Sequence, residues 1–311
     1  MIQIFRSAQG ELLRVKERVP GCWMHVHDPS PGEVAELVDD LGVPEDFITA
    51  ALDLDEIPRT ERDDGYTFIL IQIPYYRGKE DPVPYNTVPL GIIIGEGVLL
   101  TICTVETEII REIIIGSWRG FSTGKQKRFI LRLFLKTATR YLQYLRIINK
   151  SVEVVEDRLE AEQQNEDVLA LLKYEKSLTY FMTALRANEI VMERLERSGM
   201  FEEFPEDEEL LVDALTEMRQ AIEMTAIASD ILHQTMNAFS SIISNNLNVV
   251  MKFLAAITVI LTFPTMIFSF YGMNVPLPLA NRPYFSFLFA TALSLSMALI
   301  ALYIFIRKRY L

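Results

Sequence analysis

The sequence predicts an α+β fold in two parts: an α/β sandwich with long helices in front, and two transmembrane helices at the C-terminal end. Three observations carry this. Short β-rich runs alternate with helical patterns over the first 120 residues, a stretch from Lys125 to Ser198 contains no Gly or Pro, and no Asp or Glu follows Asp230. Up to Asp230 there are 25 basic and 42 acidic residues, a net −17, whereas the remainder carries five basic residues and no acidic one. With 50% hydrophobic and 23% charged residues, the chain is neither a disordered nor a collagen-like sequence.

The front part, residues 1–120, reads as an α/β domain. Its strand candidates are IQIF at 2–5, TFILIQIP at 67–74, VPLGIIIG at 88–95 and GVLLTIC at 97–103, and its helical patterns run from Pro31 to Leu41 and from Glu106 to Ile115. The N-terminus MIQIFRSAQG lacks a basic segment followed by an apolar one, so no secretory signal is expected and the front part is expected in the cytosol. Cys22 and Cys103 would then stay reduced, and with no CxxC spacing they read as core residues.

Residues 121–205 are expected to form a long-helix hairpin, with a polar turn around Gln163–Asp167. Pro205 and the carboxylates Glu206, Asp207, Glu208 and Glu209 suit the positive end of a new helix. A regulatory cation site is the alternative use of that run. From Glu206 to Phe263 the chain again lacks Gly and Pro, so a stalk helix of ~87 Å would run into the first transmembrane span, together covering 206–271.

The apolar stretches Phe253–Tyr271 and Phe285–Ile306 are each about the ~20 residues that cross a bilayer as helix. Core helices of a soluble protein are the alternative, but the basic tail at 307–311 speaks for a membrane. Lys252 and the tail lie on one side, and Arg282 lies in the connecting segment 272–284, which places both termini in the cytosol. That segment is then all that is left for the outer side.

Alternating steps of four and three residues along the stalk helix and into the first span pick out Asn237, Ser241, Ser244, Asn248, Met251, Ala255, Thr258, Thr262, Thr265, Ser269 and Gly272. This is one face of a helix, small and polar among Phe, Leu, Ile and Val neighbours. Close helix packing explains such a stripe; so does a water-filled pore surrounded by several copies of the chain. A pore without carboxylates suits a hydrated cation, because neutral oxygens accept hydrogen bonds from the ion's water, which Mg²⁺ holds tightly. Met251 and Leu254 are large enough to close it by dewetting.

The run Tyr271-Gly272-Met273-Asn274, at the outer end of the first of two C-terminal spans, resembles the CorA magnesium transporter family. The runs DEIPRTERDDGYTFIL at 55–70 and NNLNVVMKFL at 245–254 are similar too, so the resemblance covers the whole architecture. It implies a funnel-shaped homopentamer in the cell (inner) membrane that passes Mg²⁺, and sometimes Co²⁺ or Ni²⁺, through a pore lined by the first span. Gly272, Met273 and Asn274, supported by Tyr271, would form the selectivity filter, with Asn274 reaching the ion through its bound water. Asn248, Met251, Leu254, Thr258, Thr262 and Thr265 would line the pore. The resemblance also implies gating by cytosolic Mg²⁺, for which Asp213 is a candidate ligand. Where family members commonly carry an acidic Met-Pro-Glu-Leu loop, this chain has VPLPLANRPYF with Arg282, which weakens the pull on cations at the mouth. Zinc-transporting relatives carry Ile at the position of Met273, so the motif leans to magnesium.

No enzyme is expected. His25, His27 and His233 form no HExxH, and Gly124-Lys125 lacks the rest of a phosphate loop. His25 and His27 point the same way from a strand-like segment and suit either domain packing or a metal pair. The expected partners are other copies of the chain, the lipid bilayer and divalent cations, without nucleic acid. The competing functions are a membrane-anchored coiled-coil sensor or scaffold without flux, and a channel for Zn²⁺ or another divalent cation.

Overall fold

The computed structural model describes residues 1–311 except 9–10, 96, 117–121, 163–164, 274–282 and 309–311. The chain divides into two units, Met1–Met236 and Asn237–Leu311.

Seven strands of the first unit, β1 (Ile2–Ala8), β2 (Glu11–Val15), β3 (Trp23–His27), β4 (Arg59–Asp63), β5 (Tyr66–Tyr76), β6 (Tyr85–Gly95) and β7 (Val98–Cys103), form one sheet in the order β2-β1-β3-β7-β6-β5-β4. Only β3 and β7 pair in parallel. Side chains alternate between the faces of a strand, and here both faces are covered. Met24, Val26, Phe68, Leu70, Ile93, Leu100 and Ile102 join a buried cluster with Leu37 of α1 (Pro31–Asp39) and with Phe47, Ile48 and Ala51 of α2 (Glu45–Leu52). Trp23, Ile69, Ile71, Ile92 and Leu99 are buried as well, outside that cluster. Burial on both faces is why β5, β6 and β7 read as continuous apolar runs.

The helices are placed by local chemistry. Ser30 caps α1 in a reciprocal box with Glu33, whose carboxyl also takes the Met1 amino group at 3.1 Å and is pulled down to about 2, chiefly by the Ser30 backbone N–H. A Cβ at Gly91 of β6 would stand 2.4 Å from the Ala51 Cβ, so α2 approaches the sheet closely only because position 91 has no side chain. Helix α3 (Glu108–Ile114) starts at Thr107, whose hydroxyl accepts from the Ile110 N–H.

Two long helices follow, α4 (Gln126–Glu162) and α5 (Asn165–Arg197), so the expected polar turn falls partly outside the described residues. They bond directly to the sheet. Strand β4 ends at Arg59, opposite Leu70, so Gln72 has no β4 residue across from it. The buried Asn188 side chain takes that place: its Oδ1 accepts from the Gln72 N–H at 2.9 Å and its Nδ2 donates to the Gln72 carbonyl at 2.7 Å, where Tyr141 Oη also donates at 3.0 Å.

Strands β2 and β4 and helix α2 are not among the elements expected from the sequence. Strand β4 is the charged run Arg59–Asp63, with no apolar alternation to reveal it. It pairs with β5 because Asp64 and Gly65, at φ 45° and 80°, make a two-residue turn of the kind that matches strand twist.

His25 is 4% exposed and its Nδ1 lies 3.0 Å from Thr101 Oγ1, which also accepts from the Trp23 indole N–H. Burial foremost, then the neighbouring His27, lowers its pKa from 6.5 to about 4. The neutral ring therefore stabilises the fold fully above about pH 6.5, and that contribution is lost as pH falls toward 4. In His25→Gln, the loss of stability between those pH values is expected to shrink by about 3 kcal/mol, measured by thermal melting across pH. An unchanged pH profile would show that His25 does not titrate in this range.

Candidate ion-conduction site

The second unit consists, among the described residues, of the C-terminal part of α6 (Pro205–Tyr271) and all of α7 (Pro283–Arg307). Each of the two helices holds a stretch long and apolar enough to cross a membrane, and both stretches are largely exposed in the single chain. Pro264 lies inside α6, where it withholds one backbone N–H without ending the helix.

Each of the two helices has a narrow buried face. Along the apolar part of α6, from Phe253 on, Ala256 and Ile267 are buried, with Ile257, Ile260, Phe263 and Pro264 half-buried between them; on α7 Ala290, Ser294 and Ala301 are buried. Small residues recur at these positions, as they do where membrane helices pack closely. At about 100° per residue, Thr258, Thr262 and Thr265 stand about 180–240° around α6 from Ala256. All three are exposed, as are Asn248, Met251 and Leu254. The hydroxyl stripe therefore occupies the side of α6 opposite its buried face, so packing within the chain does not account for it.

The hydroxyls have a defined direction. Thr258 Oγ1 donates to the Leu254 carbonyl at 2.8 Å, Thr262 Oγ1 to the Thr258 carbonyl at 2.7 Å and Thr265 Oγ1 to the Leu261 carbonyl at 2.9 Å. Their protons are used inside the helix, and what the stripe offers outward is oxygen lone pairs. Such a surface accepts hydrogen bonds from the water of a hydrated cation and offers no donor to an anion.

At the end of α6, the Gly272 N–H donates to the carbonyls of Phe268 and Ser269 at 3.0 and 3.2 Å, and the Met273 N–H donates to that of Phe270 at 3.3 Å. Tyr271 is half-buried; Gly272 and Met273 are exposed. Asn274 and Arg282 lie outside the described residues.

Asp213, on α6 within the first unit, is exposed, and its carboxylate has no hydrogen bond or ion pair among the described residues. Two carboxylates at the acidic start of α6 are already engaged: Arg128 Nε is 2.5 Å from Asp207 Oδ1 and Arg128 Nη2 is 2.8 Å from Glu206. The Asp207 bond foremost raises the Arg128 pKa. Farther along the helix, Arg219 bonds to Glu189 and Glu193 of α5, and Thr235 Oγ1 donates to Glu156 of α4 at 2.8 Å. No sequence pattern points to the Arg128 anchor, because its partners lie 78 and 79 positions away. Among the described residues, no three His, Cys, Asp or Glu side chains come together as a metal-binding group.

An α/β unit followed by two membrane-length helices, one bearing a bare row of acceptors, has the organisation of a membrane transport protein. Residues 21–309 match the family described as CorA-like Mg²⁺ transporter protein, and the chain belongs to that family. It is 31% identical over 299 residues to the cobalt/magnesium transport protein CorA of Methanocaldococcus jannaschii, covering 93% of this chain and 91% of the relative. The complete structure of the CorA magnesium transporter from that organism superposes with a TM-score of 0.86 at 27% identity, over 100% of this chain and 99% of the other. The full-length CmaX structure shares the fold alone, with a TM-score of 0.75 at 17% identity over 99% and 97% of the two chains.

Arg128→Ala would leave the 3%-exposed Asp207 charged and without its partner, which costs about 3–5 kcal/mol. A marked fall in melting temperature is the expected result. A variant as stable as the wild type would show that water satisfies Asp207.

Proposed function

We propose that the protein is a homopentameric cation channel of the cell (inner) membrane, with both termini in the cytosol, that carries Mg²⁺ and, as the relative's name suggests, Co²⁺. The observation that carries this reading is the acceptor stripe of Thr258, Thr262 and Thr265 on the side of α6 away from its buried face. In a lone chain these oxygens would face lipid; around a fivefold axis they face water. The resemblance to CorA supports the same arrangement, with the segments 206–271, 272–284 and 285–306 serving as stalk and first span, outer loop and second span.

The mechanism follows from the chemistry of the stripe. A divalent cation arrives at Gly272, Met273 and Asn274 with its water in place, because no carboxylate is there to strip it. Carbonyls and the Asn274 amide hold that water, the threonine oxygens receive it in turn, and Asn248 does the same toward the cytosol. Met251 and Leu254, 55% and 56% exposed in the single chain, form the constriction that dewets when the pore closes. Inward movement is driven by the membrane potential, worth ~4.6 kcal/mol per 100 mV for a divalent ion. Cytosolic Mg²⁺ bridging neighbouring chains at Asp213 holds the pore shut, which counters the repulsion between strongly acidic front parts.

The test is Mg²⁺ influx into liposomes holding the protein and a Mg²⁺-sensitive dye. Asn274→Ala is expected to abolish selective influx. Thr262→Val keeps the helix and the side-chain shape but removes one acceptor per chain for the ion's water, and is expected to slow influx at least about tenfold, the equivalent of losing one hydrogen bond to a charged species. Unchanged influx in both variants would remove the filter and the stripe from the mechanism. Absence of influx in the wild type as well would favour a scaffold.

Asp213→Asn is expected to keep influx running at internal Mg²⁺ concentrations that close the wild type. Closure at the same internal concentration would place the sensor elsewhere.

A further inference from the structure

An open cavity of about 650 Å³ lies in the first unit between α4, α5 and the turn joining β5 to β6. That volume is in the range of sites for small organic ligands. Its chemistry runs against the charge of its surroundings. Arg146, Lys150 and Arg158 of α4 line it together with Lys79 of the turn, and no carboxylate lines it among the described residues. Arg158 is held by Asp167 at 2.8 Å, whereas Lys79, Arg146 and Lys150 pair with no carboxylate among the described residues. In a front part of net −17 this is an unpaired cationic group gathered at a concave place.

The rest of the lining is aromatic and apolar. The Tyr85 ring packs 4.9 Å from that of Tyr76, and the Tyr85 hydroxyl is pushed up to about 12 by burial and then by Tyr76 and Tyr174, so it remains a hydrogen-bond donor. Val154 of α4, 53% exposed, supplies apolar lining, and Tyr174 of α5 lines the same cavity. Free phosphate has no use for such a lining. A purely apolar ligand has none for three unpaired cations.

We propose that this cavity binds a phosphorylated organic anion of nucleotide size, a nucleoside di- or triphosphate, with its phosphates on Lys79, Arg146 and Lys150 and its ring system against Tyr174 and Val154. Arg146 and Lys150 are one helical turn apart, ~6 Å along the axis, which suits linked phosphates better than a single one. The Arg fork engages phosphate oxygens two at a time, and Lys adds a point charge. Stacking of a base on an aromatic side chain contributes the remainder. The site is independent of the transport reading, since nothing in it uses the membrane helices.

The experiment is calorimetric titration of the full-length protein in detergent with ATP and, separately, with tripolyphosphate, each in EDTA so that no divalent ion takes part. Saturable ATP binding at one site per chain is expected, with tripolyphosphate binding more weakly. The double variant Arg146→Gln/Lys150→Gln should weaken ATP at least about tenfold. Tyr174→Ala should weaken ATP and leave tripolyphosphate unaffected. All three changes fall on surface or half-buried positions, and unchanged melting temperatures will show that the variants fold. Absence of saturable ATP binding overturns the proposal, as does an ATP affinity that the double variant leaves intact. Equal affinities for ATP and tripolyphosphate, both indifferent to Tyr174→Ala, would reduce the site to counterion attraction and overturn it as well.

Discussion

Inside a bilayer backbone polar groups are satisfied chiefly within their own helix, and in α6 the constraint extends to the side chains. Thr258, Thr262 and Thr265 each give their hydroxyl proton to a carbonyl one turn back. This makes the stripe one-sided chemically as well as spatially. A serine or threonine facing water freely can rotate its proton toward any neighbour, and would serve an anion as well as a cation. Once the proton is fixed along the helix, the hydroxyl presents only acceptor character, without carrying any charge of its own. In the proposed channel, a strongly hydrated ion would pass such a surface without losing its water.

The membrane half was legible because its signals are compositional: the absence of acids after Asp230, two apolar runs of spanning length and a basic tail. The stripe was legible as a periodicity. What the sequence could not say is which way the stripe faces. That depends on where α6 is buried, and Ala256, Ile260, Phe263 and Ile267 carry no mark that separates them from their apolar neighbours. The direction of the threonine protons is likewise a matter of three-dimensional geometry.

In the front unit, the strands buried on both faces were visible as continuous apolar runs, and the edge strands were not. Arg59–Asp63 is charged throughout, yet Asp64-Gly65 behind it is a recognisable turn signal. The ties of α4, α5 and α6 are beyond any sequence reading: Asn188 completes the hydrogen bonding of Gln72 from 116 positions away, and Arg128 reaches Asp207 across 79. These contacts join the sheet to the long helices, and the start of α6 to α4, through buried polar groups that are expensive to leave unmet. The acidic run 206–209, which composition alone offers as a cation site, has its most buried member, Asp207, committed to an arginine.

The way α6 ends bears on the composition of the segment that follows it. The sequence places no carboxylate in segment 272–284 and puts Arg282 there. Helix α6 nonetheless terminates at Tyr271 with no basic residue in its last turn, and its macrodipole leaves about half a negative charge at that end. Five such termini gathered around one axis would present roughly two and a half negative charges beside the filter, supplied by peptide groups alone. Such a field cannot be titrated away by acid, so the capture of ions at the outer mouth would tolerate a drop in external pH that a ring of glutamates would not.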